Sequence, residues 1–305
     1  MKAIGFTKAG SVDAPDALVD IELPRPQEPG GRDLLIEIRA FSVNPLDAKL
    51  RRTLDPPGGL KVPGYDAAGE VIAVGEQVDG FKPGDAVFYA GSVARQGAYA
   101  QFQLVDERIV AAKPRSLDFA EVAALPLTTL ATWELLFDRL GARRLPAVDG
   151  RVLLVIDGAG GTGSMAIQLA RALTDLTVIA TASRPETTEW CRSLGAQHVI
   201  DHRHALKPQI EALGLPGVDL VMALAQTPRH QDQFTDIVLP FGGIGILDDP
   251  DPFALTPLKN RCIAVHMHSM MARSVFGAPD LAEQGRILSE LAKLVDTGAV
   301  RTTLT

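Results

Sequence analysis

The sequence predicts an α/β protein: a doubly wound parallel sheet preceded by a smaller β-barrel. Three observations carry that expectation. The stretch Arg151–Arg171, RVLLVIDGAGGTGSMAIQLAR, reads as strand, glycine turn and helix in direct succession. After it, short apolar runs alternate regularly with helical segments. Before it, residues 1 to about 115 break into short strands punctuated by Gly and Pro, the pattern of a small barrel rather than an open parallel sheet.

Val152–Ile156 is wholly apolar, as expected of a strand covered on both faces. In the GAGGTG turn, Gly158 lets the chain turn sharply and Gly160 lets the backbone approach a pyrophosphate. Gly163 brings helix and strand close together. Met165, Ile167, Leu169, Ala170 and Leu173 then recur at helical spacing, and the helix N-terminus offers free N–H groups and a positive dipole end to an anion. Gly158, Gly160, Gly161, Thr162 and Gly163 are therefore the candidate dinucleotide-binding residues.

The remaining elements follow in order. In the first part, strands are expected over Lys2–Thr7, Leu18–Leu23, Leu34–Val43, Gly69–Val74, Ala86–Tyr89 and Tyr99–Leu104, and Leu34–Ala40 approaches strict alternation at its end. Leu117–Leu140 is helical in pattern. Phe119 and Glu121 open one segment, Trp133–Leu140 forms another, and Pro126 separates them. Beyond the glycine turn come strands Thr177–Ala182, His198–Ile200, Asp219–Leu224, Ile244–Leu247 and Cys262–His266. Between them lie helices near Glu186–Leu194, Leu206–Leu213 and Gln231–Leu239. Right-handed crossovers then put the ligand at the carboxyl ends of these strands. Asp280–Asp296 is a last amphipathic helix, ended by Gly298, and Val300–Thr305 reads as a further strand.

Composition narrows the function. With 46% hydrophobic and 22% charged residues the chain is an ordinary globular protein, and a formal net charge of −7 argues against a nucleic-acid partner. The N-terminus MKAIGFTKAG lacks the apolar core of a signal peptide, and no run approaches the length of a membrane span. Two cysteines, Cys191 and Cys262, support neither a disulfide framework nor a four-cysteine zinc lobe. A cytoplasmic setting is expected.

The motifs VNPLDAKLRR (Val43–Arg52), VPGYDAAGEV (Val62–Val71), GEQVDGFKPGDAVF (Gly75–Phe88), FAEVAALPLTTLATWELLFDRL (Phe119–Leu140) and LGAQHVIDH (Leu194–His202) add to the glycine turn. Together they resemble the medium-chain dehydrogenase/reductase superfamily, in its quinone oxidoreductase branch and among the zinc-type alcohol dehydrogenase-like proteins. The resemblance covers nearly the whole chain. It implies a GroES-like catalytic domain over residues 1–118 and a Rossmann NADP(H)-binding domain over 119–268. A segment 269–305 would return toward the first domain, with a catalytic cleft between the two. It also implies a homodimer through the edge of the Rossmann sheet, and a natural chain extending past Thr305.

The family's catalytic zinc uses a Cys in the first motif and a His-Glu pair in the second. Here stand Asn44 and Asp47, then Tyr65-Asp66, so no metal site is expected. The pairs His202/His204 and His266/His268 have a spacing that sets both rings on one side of a strand, but without an evident third ligand. Tyr65 admits two roles: its phenol can donate a hydrogen bond to a carbonyl gaining negative charge, or its ring can pack. Asn44, before Pro45, is a turn residue by type and a substrate or nicotinamide contact by family position. Asp47 reads as a helix cap more than a base. Thr128 and Thr129 can cap the following helix or bond the nicotinamide carboxamide. Trp133 and Trp190 read as packing residues, and Cys191 as an inert thiol.

The second strand of the nucleotide unit runs out at Ser183-Arg184-Pro185, where NAD enzymes place an acid on the ribose hydroxyls. Ser183 and Arg184 suit a 2′-phosphate instead, against which Glu186 is the one reservation. The sequence thus points to an NADPH-dependent, zinc-independent oxidoreductase acting on quinones or α,β-unsaturated carbonyls. A non-catalytic NADPH-binding sensor or structural protein is the alternative, and a zinc-dependent alcohol dehydrogenase a further one.

Overall fold

The computed structural model describes residues 1–56 and 58–304. The chain divides into two compact units, Met1–Leu130 with Met271–Thr305, and Ala131–Met270.

In the first unit, β1 (Lys2–Gly5) and β2 (Val19–Glu22) pair antiparallel. β3 (Asp33–Phe41) is followed by helix α1 (Pro45–Thr53), β4 (Ala67–Val74), β5 (Ala86–Tyr89), β6 (Phe102–Asp106) and β7 (Val110–Ala112). Five of these strands form one antiparallel sheet in the order β6-β3-β4-β5-β7, and bridges Ala3↔Ala100 and Phe6↔Lys61 tie the small sheet to its flank. Inward residues Leu34, Ile36, Val71, Val87, Tyr89 and Val105 make the core. The strand expected at Tyr99–Leu104 lies further on, because the backbone of residues 99–101 bonds to β1 instead, the Ile4 N–H donating to the Tyr99 carbonyl at 2.8 Å and the Gln101 N–H to the Lys2 carbonyl at 3.1 Å. β7 is three residues long, too short for alternation to show.

Helix α2 (Phe119–Ala123) is closed by an Asp118–Glu121 capping box, and α3 runs from Pro126 to Trp133. Pro126 therefore separates two helices, as expected, and does so by opening the second, since the first helical position needs no N–H. The expected separate helix from Trp133 is instead a π-helical turn, Glu134–Arg139. The stretch Phe119–Arg139 is 21 residues long and apolar enough to cross a membrane by composition alone, contrary to the expectation that no run comes near that length. With 72% of its apolar 18-residue part buried inside the protein, it meets the description of a core helix equally well.

The second unit holds β8 (Val152–Ile156), α4 (Gly161–Leu173), β9 (Thr177–Thr181), α5 (Pro185–Ser193) and β10 (His198–Ile200). It continues with α6 (Leu206–Ala212), β11 (Val218–Ala223), α7 (Thr227–Ile237), β12 (Val238–Ile246), α8 (Thr256–Lys259) and β13 (Ala264–Met267). All six strands are parallel, in the order β10-β9-β8-β11-β12-β13. Numbered within the unit this is 3-2-1-4-5-6, the doubly wound order whose ligand crevice lies where the order reverses, between β8 and β11. Apolar layers on both faces fix it: Leu153, Val155 and Val178 on one, Leu154, Ile156 and Ile179 on the other. α7 starts four positions before the expected Gln231 because the Asp248 carboxylate accepts from both the Thr227 N–H and hydroxyl.

Two further helices, α9 (Ala272–Phe276) and α10 (Glu283–Asp296), belong to the first unit, where α10 packs on β7. The units thus divide at 130/131 and 270/271 rather than at 118/119 and 268/269. The reason is that α2 packs on β3, β4 and β5. The strand expected at Val300–Thr305 is not formed over its described residues. Val300 is buried and the Thr302 hydroxyl donates to the Glu121 carbonyl. Thr305 lies outside the described residues.

Candidate active site

The glycine turn leaves β8 at Asp157, a non-glycine residue held at φ +64°. Its N–H donates to the Thr181 hydroxyl at 3.0 Å, and the Gly158 N–H donates to the Thr181 carbonyl at 3.1 Å, so the turn is pinned to β9. A side chain on Gly163 would collide with the Asp157 carbonyl and stand 2.8 Å from the Gly158 Cα. One on Gly158 would stand 2.8 Å from the Ala180 Cβ. Gly160 precedes the first turn of α4, where Gly161 is exposed and Thr162 half-buried. The five predicted residues come together here as one N-terminal cradle at the carboxyl end of β8. Asp157 was not legible as part of it. Its carboxylate lies over Gly160, and burial pushes it up while His202 holds it down.

Beside the turn, β9 ends and Ser183 and Arg184 lead into α5, Ser183 half-buried and Arg184 exposed. Arg184 is the N-cap residue, its N–H donating to the Thr187 hydroxyl at 3.3 Å. No carboxylate interrupts the strand end, and Glu186 is exposed within the first turn of α5.

The first unit gathers a second polar cluster. Asn44 and Asp47 form a capping box on α1, the Asp47 carboxylate accepting the Asn44 N–H at 2.8 Å and the Gly64 N–H at 3.0 Å. Gly64 has φ +97°, which places Tyr65 and Asp66 inward. Asp66 accepts from the Leu127 N–H at 2.8 Å, the Ser42 hydroxyl at 2.9 Å and the Asn44 amide at 3.0 Å. Burial pushes its carboxyl up to about 7 against those donors, with the Asp47 charge adding to the rise. Asp47 is also raised by burial, against the Asn44 and Gly64 N–H groups and the Tyr99 phenol. Lys61 is lowered to about 8 by burial. Its ammonium donates to the Val93 and Arg95 carbonyls and lies 5.8 Å from the Tyr65 ring centre.

Tyr65 Oη and Thr129 Oγ1 are buried without a hydrogen-bond partner among the described residues, as is Tyr99 Oη, whose phenol lies beside the Asp47 carboxylate. Burial and the Asp47 charge raise the Tyr65 phenol, so it stays a donor. Thr128 donates its hydroxyl to the Leu125 carbonyl at 3.1 Å. Asp66 and Ser42, central to the cluster, were not singled out by sequence, because their partners lie far along the chain.

The histidine pairs do not act together. His204 is 73% exposed near Asp201, while His268 is buried 3.3 Å from Glu134. His202 faces His230 with ring centroids 6.3 Å apart. No group of three metal-ligating side chains occurs among the described residues. Cys191 is buried and raised to about 11, as suits an unreactive thiol.

Comparison with known proteins adds to this geometry. Residues 30–115 match the family model for the alcohol dehydrogenase GroES-like domain, and residues 161–282 match that for zinc-binding dehydrogenases. A zinc-type alcohol dehydrogenase-like protein of Staphylococcus aureus is 37% identical over 310 residues, covering 100% of this chain and 91% of its own. The chain belongs to the medium-chain dehydrogenase/reductase superfamily. Within it, the sequence sits in the quinone oxidoreductase branch with the zinc-type alcohol dehydrogenase-like proteins.

Among solved structures of the superfamily, a proposed zinc-dependent alcohol dehydrogenase of Rhizobium etli superposes with a TM-score of 0.96. It is 50% identical, covering 100% of this chain and 89% of that one. A Pseudomonas syringae quinone oxidoreductase superposes with a TM-score of 0.83 at 26% identity, covering 99% and 90%. An Arabidopsis thaliana NADPH-dependent alkenal/one oxidoreductase is 36% identical over 214 residues, 66% of this chain and 52% of its own. The chain is accordingly an oxidoreductase of the nicotinamide-dependent kind.

Proposed function

We propose that this superfamily member is an NADPH-dependent reductase of quinones and α,β-unsaturated carbonyls that works without catalytic zinc. The observation that carries the reading is the pair of buried hydroxyls, Tyr65 Oη and Thr129 Oγ1, left without an acceptor. A buried donor with no partner costs free energy in the resting protein and is retained where a ligand supplies the acceptor. A carbonyl oxygen that gains negative charge as its conjugated system is reduced is such an acceptor.

The glycine cradle fits a pyrophosphate, and Ser183 with Arg184 fits a 2′-phosphate. When bound, NADPH supplies the hydride. Gly158, Gly160, Gly161, Thr162 and Gly163 hold the dinucleotide backbone through N–H groups. Tyr65 and Thr129 donate to the substrate oxygen, Thr128 borders the same helix turn, and Asn44 braces the loop beside them.

Zinc does not fit the residues present. The first unit contains neither Cys nor His, all eight of those residues lying between 191 and 268. Its buried carboxylates, Asp47, Asp66 and Glu107, already accept N–H and O–H donors. Dialysis against a chelator is expected to leave NADPH oxidation unchanged, with 1,4-naphthoquinone and 3-buten-2-one as substrates. Loss of activity restored by zinc alone would overturn this part, and no oxidation with any quinone or enone would favour a binding protein instead.

A second expectation separates the two roles of Tyr65. Tyr65→Phe removes only an unpaired buried hydroxyl, so the melting temperature should stay level or rise. Turnover should fall on the order of a hundredfold if the phenol serves the developing anion. Unchanged turnover would assign the residue to packing.

The edge strand β13 has its outer side unpaired, with Ala264 exposed and Met267 58% exposed. A homodimer formed along this edge in the cytoplasm completes the proposal.

A further inference from the structure

We infer that Asp66 is the positioning residue of the first unit's site, its one carboxylate setting the Asn44 loop and the first turn of α3. The inference deepens the function proposed above and rests on it, since it assumes that Tyr65 and Thr129 meet the substrate. Three segments distant in sequence converge on this side chain. Ser42 and Asn44 come from the loop after β3, Leu127 from the start of α3, and Asp66 itself from the segment entering β4.

The donor arithmetic selects a carboxylate. Pro126 has no N–H, so Leu127 supplies the first free donor of α3, and an anion there also meets the positive end of the helix. Asp66 Oδ1 takes that donor, while Oδ2 takes the Ser42 hydroxyl and the Asn44 amide. The Asn44 amide in turn donates to Ser42 Oγ at 3.2 Å, so the small network runs in one direction. An ionised carboxylate only accepts and satisfies all three donors. A proton on it, or an amide in its place, sets a donor against a donor. The Ser42 hydroxyl can rotate to accept, and the Asn44 amide can flip to offer its Oδ1 only by giving up its bond to Ser42 Oγ, whereas the Leu127 N–H can only donate. Asn44 or the α3 turn must then move, and Thr129 sits on that turn.

The titratable groups acting on Asp66 are Asp47 from α1 and the Tyr99 phenol, and the Lys61 ammonium lies 5.8 Å from the ring of the adjoining Tyr65. Burial and Asp47 bring its ionisation to about 7. The sign follows. A carboxyl raised in the folded state contributes stability that is present below its unfolded value of 3.8 and is lost as pH rises through about 7. The ionised form is therefore the well-ordered but less stable one. Activity should fall as pH drops through about 7 even though this group makes the fold more stable there.

Asp66→Asn tests the assignment in the full chain. Turnover of 1,4-naphthoquinone should drop roughly ten- to a hundredfold with little change in KM, as expected from misplaced rather than missing contacts. The NADPH dissociation constant should stay put, and the acid limb of kcat near pH 7 should vanish. Ser42→Ala, which removes one donor and is the milder change, should keep most of the activity and move that limb to higher pH. A limb that persists in Asp66→Asn, or wild-type turnover in that variant, would overturn the inference. If the wild-type protein reduces no quinone or enone, the function proposed above falls. Hydrogen exchange then decides the Asp66 inference alone: faster exchange of the Leu127 amide in Asp66→Asn at pH 8 supports it, and unchanged protection sinks it.

Discussion

Gly163→Ala is expected to weaken NADPH binding on the order of a hundredfold or more. The Cβ would be driven into the Asp157 carbonyl oxygen and the Gly158 backbone, both main-chain atoms that cannot rotate away. Relief requires α4 to back off from β8, and the N-terminal N–H groups of α4 retreat with it. Those groups act at hydrogen-bond range, so a displacement of an ångström forfeits most of the pyrophosphate contact. Affinity should fall on the order of a hundredfold or more, equivalent to roughly 2.8 kcal/mol at 1.4 kcal/mol per decade. The melting temperature should fall as well, because Leu153 and Val155 of β8 pack with Ala166, Ile167 and Ala170 of α4 in one core. Gly30→Ala, where nothing stands within 4 Å of the added methyl, is the matched control and should change neither quantity. Titration of NADPH fluorescence into both variants makes the comparison. Binding by Gly163→Ala within a few-fold of wild type would mean that the turn is not the pyrophosphate site.

That turn was legible in the sequence because its logic is local. Strand, three glycines and helix occupy one continuous run, and each residue's neighbour in space is its neighbour in sequence or lies one strand away. The parallel sheet was legible for the same reason, since its central strands β8, β9 and β11 are largely buried on both faces and read as apolar runs. The first unit's site was legible only in part. Tyr65 and Thr129 drew attention as residue types in family motifs. Nothing near position 66 announced that its carboxylate meets an N–H 61 residues further on. Long-range polar contacts leave no periodicity. Short pieces failed similarly: β7 is too brief to alternate, and the π-helical turn at Glu134–Arg139 has the same apolar content an α-helix would. Asp157 escaped because an acid beside a glycine turn looks like an ordinary turn residue until its carboxylate is seen to lie over Gly160.

Arg184→Ala is expected to shift cofactor preference, leaving NADH affinity unchanged and weakening NADPH by roughly tenfold or somewhat more. The register of β9 against β8 and β10 carries its end to the carboxyl edge of the sheet beside the glycine cradle. A dinucleotide whose pyrophosphate sits on α4 directs its adenosine ribose toward that edge. There the chain offers a half-buried hydroxyl, Ser183, and an exposed guanidinium, Arg184, held at the N-cap of α5 by the Arg184 N–H to Thr187 and by Pro185 behind it. The α5 N-terminus adds a positive dipole end to the same spot. Glu186 opposes, but it is exposed in the first turn of α5, where water screens it. Because Arg184 is itself exposed, its contribution belongs at the lower end for a charge-assisted pair and should shrink further as salt rises. The test is a titration of both cofactors into both proteins at two ionic strengths. A preference for NADPH in the wild type that narrows with salt and largely disappears in Arg184→Ala is the expected result. Equal loss of NADH and NADPH binding would instead make Arg184 a structural cap of α5, and tighter NADH binding by the wild type would remove the 2′-phosphate from this site.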